Sequence, residues 1–309
     1  MKHLALLLLL FCAGCHRTTE DHHPKLSYAV QDRYLQALPS AFPPLSPHER
    51  SEDWGRELTI GRGFAKELDL YSAIATFKRS QFLLPDGTKD SLRSSELNYD
   101  IFLAYYLGQK YDEAIYTFGT TSLWKSESNF PAFHDLMVAL YDVDLRTEVP
   151  IEERNRILLR LQPSFPETAH RLAYSGALIE ANFEQLEQFP EAEPLLKEYT
   201  LKKKSVGGAQ ALNALLPGAG YFYLGQGQSG ITAFLLNGLF IWATIHFFQH
   251  GHVAAGAITA SFEAGWYFGG IYGAGQEARF YNERLYETIA TPMMQREKLF
   301  PVLMLQCAF

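Results

Sequence analysis

Glu263 is the only formally charged residue between Ser205 and Gln276. A carboxyl group isolated in so apolar a stretch must be protonated, paired or used, because an unpaired buried charge is costly. Asn237 is the most polar residue of the neighbouring apolar stretch, Ile231 to Phe248. If the turn between the stretches centres between His250 and Gly251, Glu263 lies level with Gly238, one residue from Asn237. This spacing predicts a hydrogen bond from Glu263 to Asn237, or to exposed backbone near Pro217. Two chemistries suit such a pair, a path for a proton or small solute, or polar glue between helices. With only two or three spans available, glue is favoured.

Other spacings suggest chemistry and fail on context. His246 and His250 share a helix face near His252, but no carboxylate or cysteine lies close in sequence to complete a metal site. His22-His23 sits in a proline-rich segment, a poor ligand frame. Asp142-Val143-Asp144 with Glu148 lacks the glycine and spacing of a calcium loop and reads as a solvated helix end. Gly225-x-Gly227-x-x-Gly230 has dinucleotide-binding spacing, but the following helix is apolar and no acidic residue appears about 20 positions on. Cys12-Ala13-Gly14-Cys15 lies in a leader, not after a strand. No nucleophile elbow, Walker motif or zinc-protease motif occurs. The chain is therefore expected to be no enzyme and to need no cofactor or metal.

The 309 residues carry 27 Lys+Arg against 34 Asp+Glu, a net charge of −7 that gives no basic footprint for nucleic acid. Residues 205–276 hold 15 of the 23 glycines, which sets them apart from an ordinary soluble domain. Met1-Lys2-His3 followed by Leu4 to Phe11 has the basic and apolar regions of a secretory signal and is too short to span a bilayer. The end of this segment, Ala13-Gly14-Cys15, resembles the lipobox of bacterial lipoproteins, with Cys12 where an aliphatic residue is usual. The resemblance implies lipidation at Cys15. Ordinary cleavage after Gly14 is the alternative. Once Cys12 is removed and Cys15 acylated, Cys307 has no disulfide partner. Residues 16–51, with Pro24, Pro39, Pro43, Pro44 and Pro47, read as a tether containing at most a short helix within Leu26–Leu38.

From Trp54 the hydrophobic period becomes helical. Trp54, Leu58, Gly61, Phe64, Ala65 and Leu68 form one face, and Leu70, Ala73, Ile74, Phe77 and Leu84 a second. Ile101, Ala104, Tyr105 and Gly108 precede Tyr111, Ala114, Ile115 and Phe118 in the same manner. The segment Ala104 to Phe118 resembles a tetratricopeptide repeat, with Ala73 and Ala114 at the small helix-packing position, Phe77 and Phe118 after them, and Pro85 at the terminal proline. The two alanines stand 41 residues apart where the family has 34. The resemblance implies a helical solenoid over 52–200, two clear repeats followed by degenerate helical pairs, with a groove for a protein or peptide partner.

Beyond Lys202-Lys203-Lys204, three apolar stretches follow. Val206 to Leu224 is broken by Pro217. Ile231 to Phe248 and Val253 to Ala274 approach the length needed to cross about 30 Å of hydrocarbon. They predict a transmembrane hairpin that contacts lipid. The junction Pro217-Gly218-x-Gly220-x-x-Tyr223-x-Gly225, with Gly230 beyond it, resembles the head of small bacterial membrane domains of the TM2-like type. Ala257, Ser261, Gly265, Gly269 and Gly273 recur every four residues, a ladder that lets helices approach closely in lipid. The expected architecture is all-α: signal 1–15, tether 16–51, helical repeats 52–200, glycine-rich membrane domain 205–285 and tail 286–309. Val302 to Phe309 allows a strand, although a docked tail is favoured. The expected protein is an envelope-anchored scaffold or adaptor with periplasmic repeats, the alternative being solute or proton movement at Glu263 and Asn237. The lysines beside the hairpin argue for the opposite orientation, but long domains translocate largely regardless of charge.

Overall fold

The computed structural model describes residues 24–26, 28, 33–85 and 91–309. The described residues are helical without a β-strand, and the one isolated bridge is the parallel pair Ser40 and Ala308. The chain divides into two compact units. One comprises Lys25–Lys197 with Thr288–Phe309, and the other contains Glu198–Glu287.

The first unit opens with the short helices α1 (Arg33–Ala37) and α2 (Pro47–Ser51) and continues as helix pairs. These are α3 (Asp53–Lys66) with α4 (Leu70–Leu83), α5 (Leu92–Leu107) with α6 (Tyr111–Thr120), α7 (Phe133–Arg146) with α8 (Ile151–Leu161), and α9 (Pro166–Ile179) with the short α10 (Phe183–Leu186). Several starts are set by side chains that satisfy the first free amides. Ser91, Asp69 and Asn182 accept from the backbone N–H three residues on, and Ser46 with Glu49 forms a capping box. Each pair is joined by the same tight turn. Leu68, Gln109, Glu148 and Ala181 all adopt the left-handed conformation, with φ between 48° and 59°. The amide of the following residue reaches back to a carbonyl of the preceding helix at 2.9–3.0 Å, as in Lys110 N to Tyr105 O and Val149 N to Asp144 O. The repetition thus extends over four pairs, beyond the two whose sequences are alike.

Ala73, Phe77 and Ala114 are fully buried, and Phe118 is half-buried with its ring 6.4 Å from Phe102. A side chain at Gly61 would meet the Phe77 ring at 2.6 Å, so the glycine is what lets α3 and α4 approach. The expected tether is corrected over its described part. Leu26, Leu35, Phe42 and Leu45 are buried. Arg93 donates to the carbonyls of Pro43 and Pro44 at 2.8 and 3.1 Å and pairs with Glu49 and Glu96, both at 2.7 Å. Prolines free of amide protons suit this role, because their carbonyls remain strong acceptors in an extended chain.

In the second unit the break at Pro217 is real. After α11 (Glu193–Lys202) come α12 (Val206–Leu215), α13 (Ala219–Tyr223), α14 (Gly227–Gln249) and α15 (Val253–Arg296). The expected second apolar span does not end at Ala274. It continues as one helix of 44 residues. Among the described residues, α14 alone is long and apolar enough to cross a membrane. Beyond α15, Pro301–Met304 is a single 3-10 turn, so the strand considered for 302–309 is absent. Phe300, Val302, Leu305, Ala308 and Phe309 are buried in the first unit.

Candidate functional site

The Pro-Gly-rich junction builds one end of the second unit. Gly218 has φ +91°, and a Cβ there would lie 2.2 Å from the Gly230 carbonyl oxygen. Both conditions demand glycine. The Gly218 amide, freed by the break, donates to Asn213 Oδ1 at 2.9 Å. A Cβ at Gly220 would meet the Ala209 carbonyl at 2.3 Å and Ala274 at 2.9 Å. Gly225, at φ +77°, ends α13, and Gly227 begins α14. The dinucleotide-like spacing therefore follows a helix and serves a turn. Tyr223 is half-buried, and its hydroxyl accepts from Ser205 N at 3.1 Å beneath the Lys204 ammonium, 4.7 Å from the ring centroid. Asn282 closes the same end by two bonds to the Lys204 backbone, and Gln226 donates to Glu277 at 2.7 Å.

A groove of about 940 Å³ opens beside this junction. It is lined from α14 by Gln228, Ser229, Thr232 and Asn237, from α12 by Asn213, and from α15 by Gly265, Trp266 and Gly269. Asn237 is 4% exposed, and its amide donates to the Ala233 carbonyl at 2.6 Å. Its Oδ1 has no partner, nor has either carboxyl oxygen of Glu263, although all three are buried. The expected bond between Asn237 and Glu263 is therefore not formed, and neither is a bond from Glu263 to backbone near Pro217. The reason is register. Thr244 donates to Thr259 across the hairpin at 3.0 Å, and Gly251 takes the left-handed turn position at φ +76°. This pairing sets Glu263 level with Phe240, about a turn beyond Asn237. Tyr267, one turn after Glu263, reaches the Ala214 carbonyl at the end of α12 and satisfies an acceptor left by the broken helix.

The small-residue ladder divides along its length. Gly273 is buried, whereas Ala257, Ser261, Gly265 and Gly269 are exposed. An added Cβ at Gly265 or Gly269 would meet nothing within 4 Å. Close approach within the chain occurs instead through Gly256, against the Phe248 ring, and Gly220. The His246 and His250 rings are tilted by 34° with centroids 4.1 Å apart, and His250 Nδ1 donates to the His246 carbonyl at 2.8 Å.

The first unit presents a different arrangement. Asp135 on α7 is 1% exposed and accepts the backbone amides of Gln306, at 3.0 and 3.1 Å, and Cys307, at 2.6 Å. His134 bonds Asp135 through Nδ1 and lies 3.0 Å from Thr168 on α9 through Nε2. Tyr34 donates to Leu305 O at 2.7 Å, Arg171 to Glu297 O and Lys298 O, and Phe309 stacks on Phe77. The segment 297–309 thus lies along α7 and α9. Burial, with the Asp135 charge beside it, pushes the Cys307 thiol up to about 11.

Buried charges elsewhere in this unit hold helices together. Arg62 on α3 pairs with Glu96 and Asp100 on α5, and Glu96 also takes Arg93. Burial raises Asp100 to about 7, with Arg62 opposing the rise and Glu96 adding to it. Asp142 is not a solvated helix-end residue as expected. It is buried, accepts from Tyr106 Oη at 2.8 Å and pairs with Arg146. Sequence reasoning missed Asn213, Asp135 and Arg93, each of which has a partner outside its own helix, in Gly218, in Gln306 and Cys307, and in Glu49 with Pro43 and Pro44. The proposed lipidation residue, Cys15, lies outside the described residues.

No family model matches the chain, and no curated protein or solved structure shows significant similarity to it.

Proposed function

We propose that the chain is a non-enzymatic scaffold or adaptor of the bacterial envelope, held in a membrane by residues 205–285. The observation that carries this reading is the inverted polarity of that segment. Its buried core is built from small side chains, Ala209, Ala274 and Ala278, with Leu224. Its large side chains point outward, with Leu215 84% exposed, Phe268 67%, Trp242 63% and Leu235 62%. In water such a surface is far larger than a monomer sustains, whereas lipid is as apolar as the side chains themselves. The lipoprotein-like Cys15 adds a second anchor, and one acyl chain alone gives only marginal binding. The tetratricopeptide-like pairs then lie in the periplasm and engage a protein or peptide partner. A partner peptide on α7 and α9 must displace segment 297–309.

Membrane fractionation with a Cys15→Ser variant tests the anchor. The variant is expected to stay in the membrane pellet through carbonate washing. Release of the whole population into the soluble fraction would remove the hairpin from the membrane. Protease protection of the repeats before and after outer-membrane permeabilisation tests their location. Repeats that stay protected after permeabilisation contradict a periplasmic domain.

A second reading, movement of a proton or small solute, is favoured by one observation. Asn237 Oδ1 and both Glu263 oxygens are buried without partners. Proton or ion flux in liposomes that disappears with Glu263→Gln would replace the scaffold reading with this one.

A further inference from the structure

We propose that the groove between α12, α14 and α15 binds an uncharged lipid whose headgroup carries several hydroxyls, of the glycosyl diacylglycerol class. The proposal rests on the membrane reading above. Its first support is the lining. Asn213, Gln228, Ser229, Thr232 and Asn237 supply amides and hydroxyls, Trp266 supplies an aromatic face, and no formally charged residue takes part. A phosphate or ammonium head would lose its hydration there without a counter-charge. A hydroxyl-rich head gains, because each hydroxyl both donates and accepts and can meet amides of either polarity. The exposed apolar surface of a sugar ring suits an indole face.

The second support is depth. Asn237 stands one residue from the middle of the 23-residue α14, and Gln228 lies in its first turn. At 1.5 Å per residue they are about 14 Å apart along the axis. The polar lining therefore runs from one membrane surface to mid-depth. It ends at Asn237, a lining residue 4% exposed whose Oδ1 is buried without a partner. In hydrocarbon an acceptor left unpaired is costly, and a ligand hydroxyl removes that cost. The third support is size. A groove of about 940 Å³ is at the upper end for small-ligand sites and takes a sugar head with the first part of its chains. Gly265 and Gly269 leave that room, since neither would carry its Cβ into another atom.

Photo-crosslinking of the full chain in phosphatidylcholine nanodiscs tests the proposal. Two probes carry a diazirine on the chain carbon nearest the head, one a glucosyl diacylglycerol and the other phosphatidylcholine. Adducts are mapped by mass spectrometry. The glucosyl probe is expected to concentrate on Gln228, Ser229, Thr232, Asn237, Trp266 and Gly269, and the phosphatidylcholine probe on the outward side chains Ile231, Ile245 and Phe248 near the two ends of α14. Asn237→Leu should lower groove labelling by the glucosyl probe about tenfold, the effect of one lost buried hydrogen bond. Gly269→Leu, which has space for its Cβ, should block it by occupation. Unchanged phosphatidylcholine labelling shows that both variants remain folded and inserted. Equal labelling of the groove by both probes, or glucosyl labelling indifferent to both variants, overturns the proposal. Failure of both probes to label α14 defeats the membrane reading itself, a result distinct from loss of selectivity.

Discussion

Replacing Asp135 by asparagine removes the group that fastens segment 297–309 to α7. In the native protein the two carboxylate oxygens receive three amide contacts from Gln306 and Cys307, all within 3.1 Å, at a site 1% exposed. A carboxamide keeps one acceptor oxygen and sets an NH₂ donor against an N–H donor. Losing charge-assisted hydrogen bonds of this kind costs about 2–3 kcal/mol. For a unit of this size, that lowers Tm by about 5–10 °C. Cys307 reports the same event chemically. Its thiol is raised from an ordinary value of 9.0 to about 11, first by burial and then by the charge and hydrogen bonding of Asp135. A return to the ordinary value increases the thiolate fraction near neutral pH by about a hundredfold. Iodoacetamide labelling at pH 8, read on the Cys307 peptide by mass spectrometry, should therefore accelerate by between about tenfold and a hundredfold. Wild-type labelling and an unchanged Tm in Asp135→Asn would refute the argument that this carboxylate holds the segment.

Gln109→Gly should stabilise the first unit by about 0.5–1 kcal/mol in urea unfolding, because φ is 57° at a position that carries a Cβ. A loss of stability would show that the Gln109 side chain contributes more than its backbone strain costs. Gly220→Ala should destabilise the second unit by about 1–3 kcal/mol, read as earlier thermal loss of helicity in detergent, since its Cβ would stand 2.3 Å from a carbonyl oxygen. Asp100 fixes the sign of one pH effect. Its folded value of about 7 exceeds its ordinary 3.8, so the native state holds the proton more tightly. Its contribution to stability should grow as pH falls from about 7 toward 3.8, and Asp100→Asn should flatten urea midpoints measured between pH 8 and 5. A variant whose pH dependence matches the wild type would exclude Asp100 as its source.

Local patterns made much of the architecture legible. The periodicity of Leu58, Ala65, Ala73, Phe77 and Ala114 marks helical faces, and those five residues are buried. Pro217 and the glycines after it announce a break, and the structure breaks there. The turns at Glu148 and Ala181 were not legible, because the left-handed position is occupied by residues with no glycine signature. Asp142 looked like a solvated residue until Tyr106 and Arg146 supplied partners from two helices. Residues 16–51 read as a tether with at most a short helix within Leu26–Leu38, because Pro43 and Pro44 stop any regular element. Arg93, some 50 positions away, orders them nonetheless.

By itself, the sequence determined what depends on neighbours three or four residues apart: which segments are helical, where proline ends them, and that residues 205–276 are uncharged and glycine-rich. Tertiary structure alone decided the pairings. Thr244 meets Thr259 and fixes a hairpin register that leaves Asn237 and Glu263 without a bond to each other, and Asp135 receives amides 171 and 172 residues away. A helical period specifies which way a side chain faces. It carries no information about what stands opposite, which only the closing of long loops against one another brings into place.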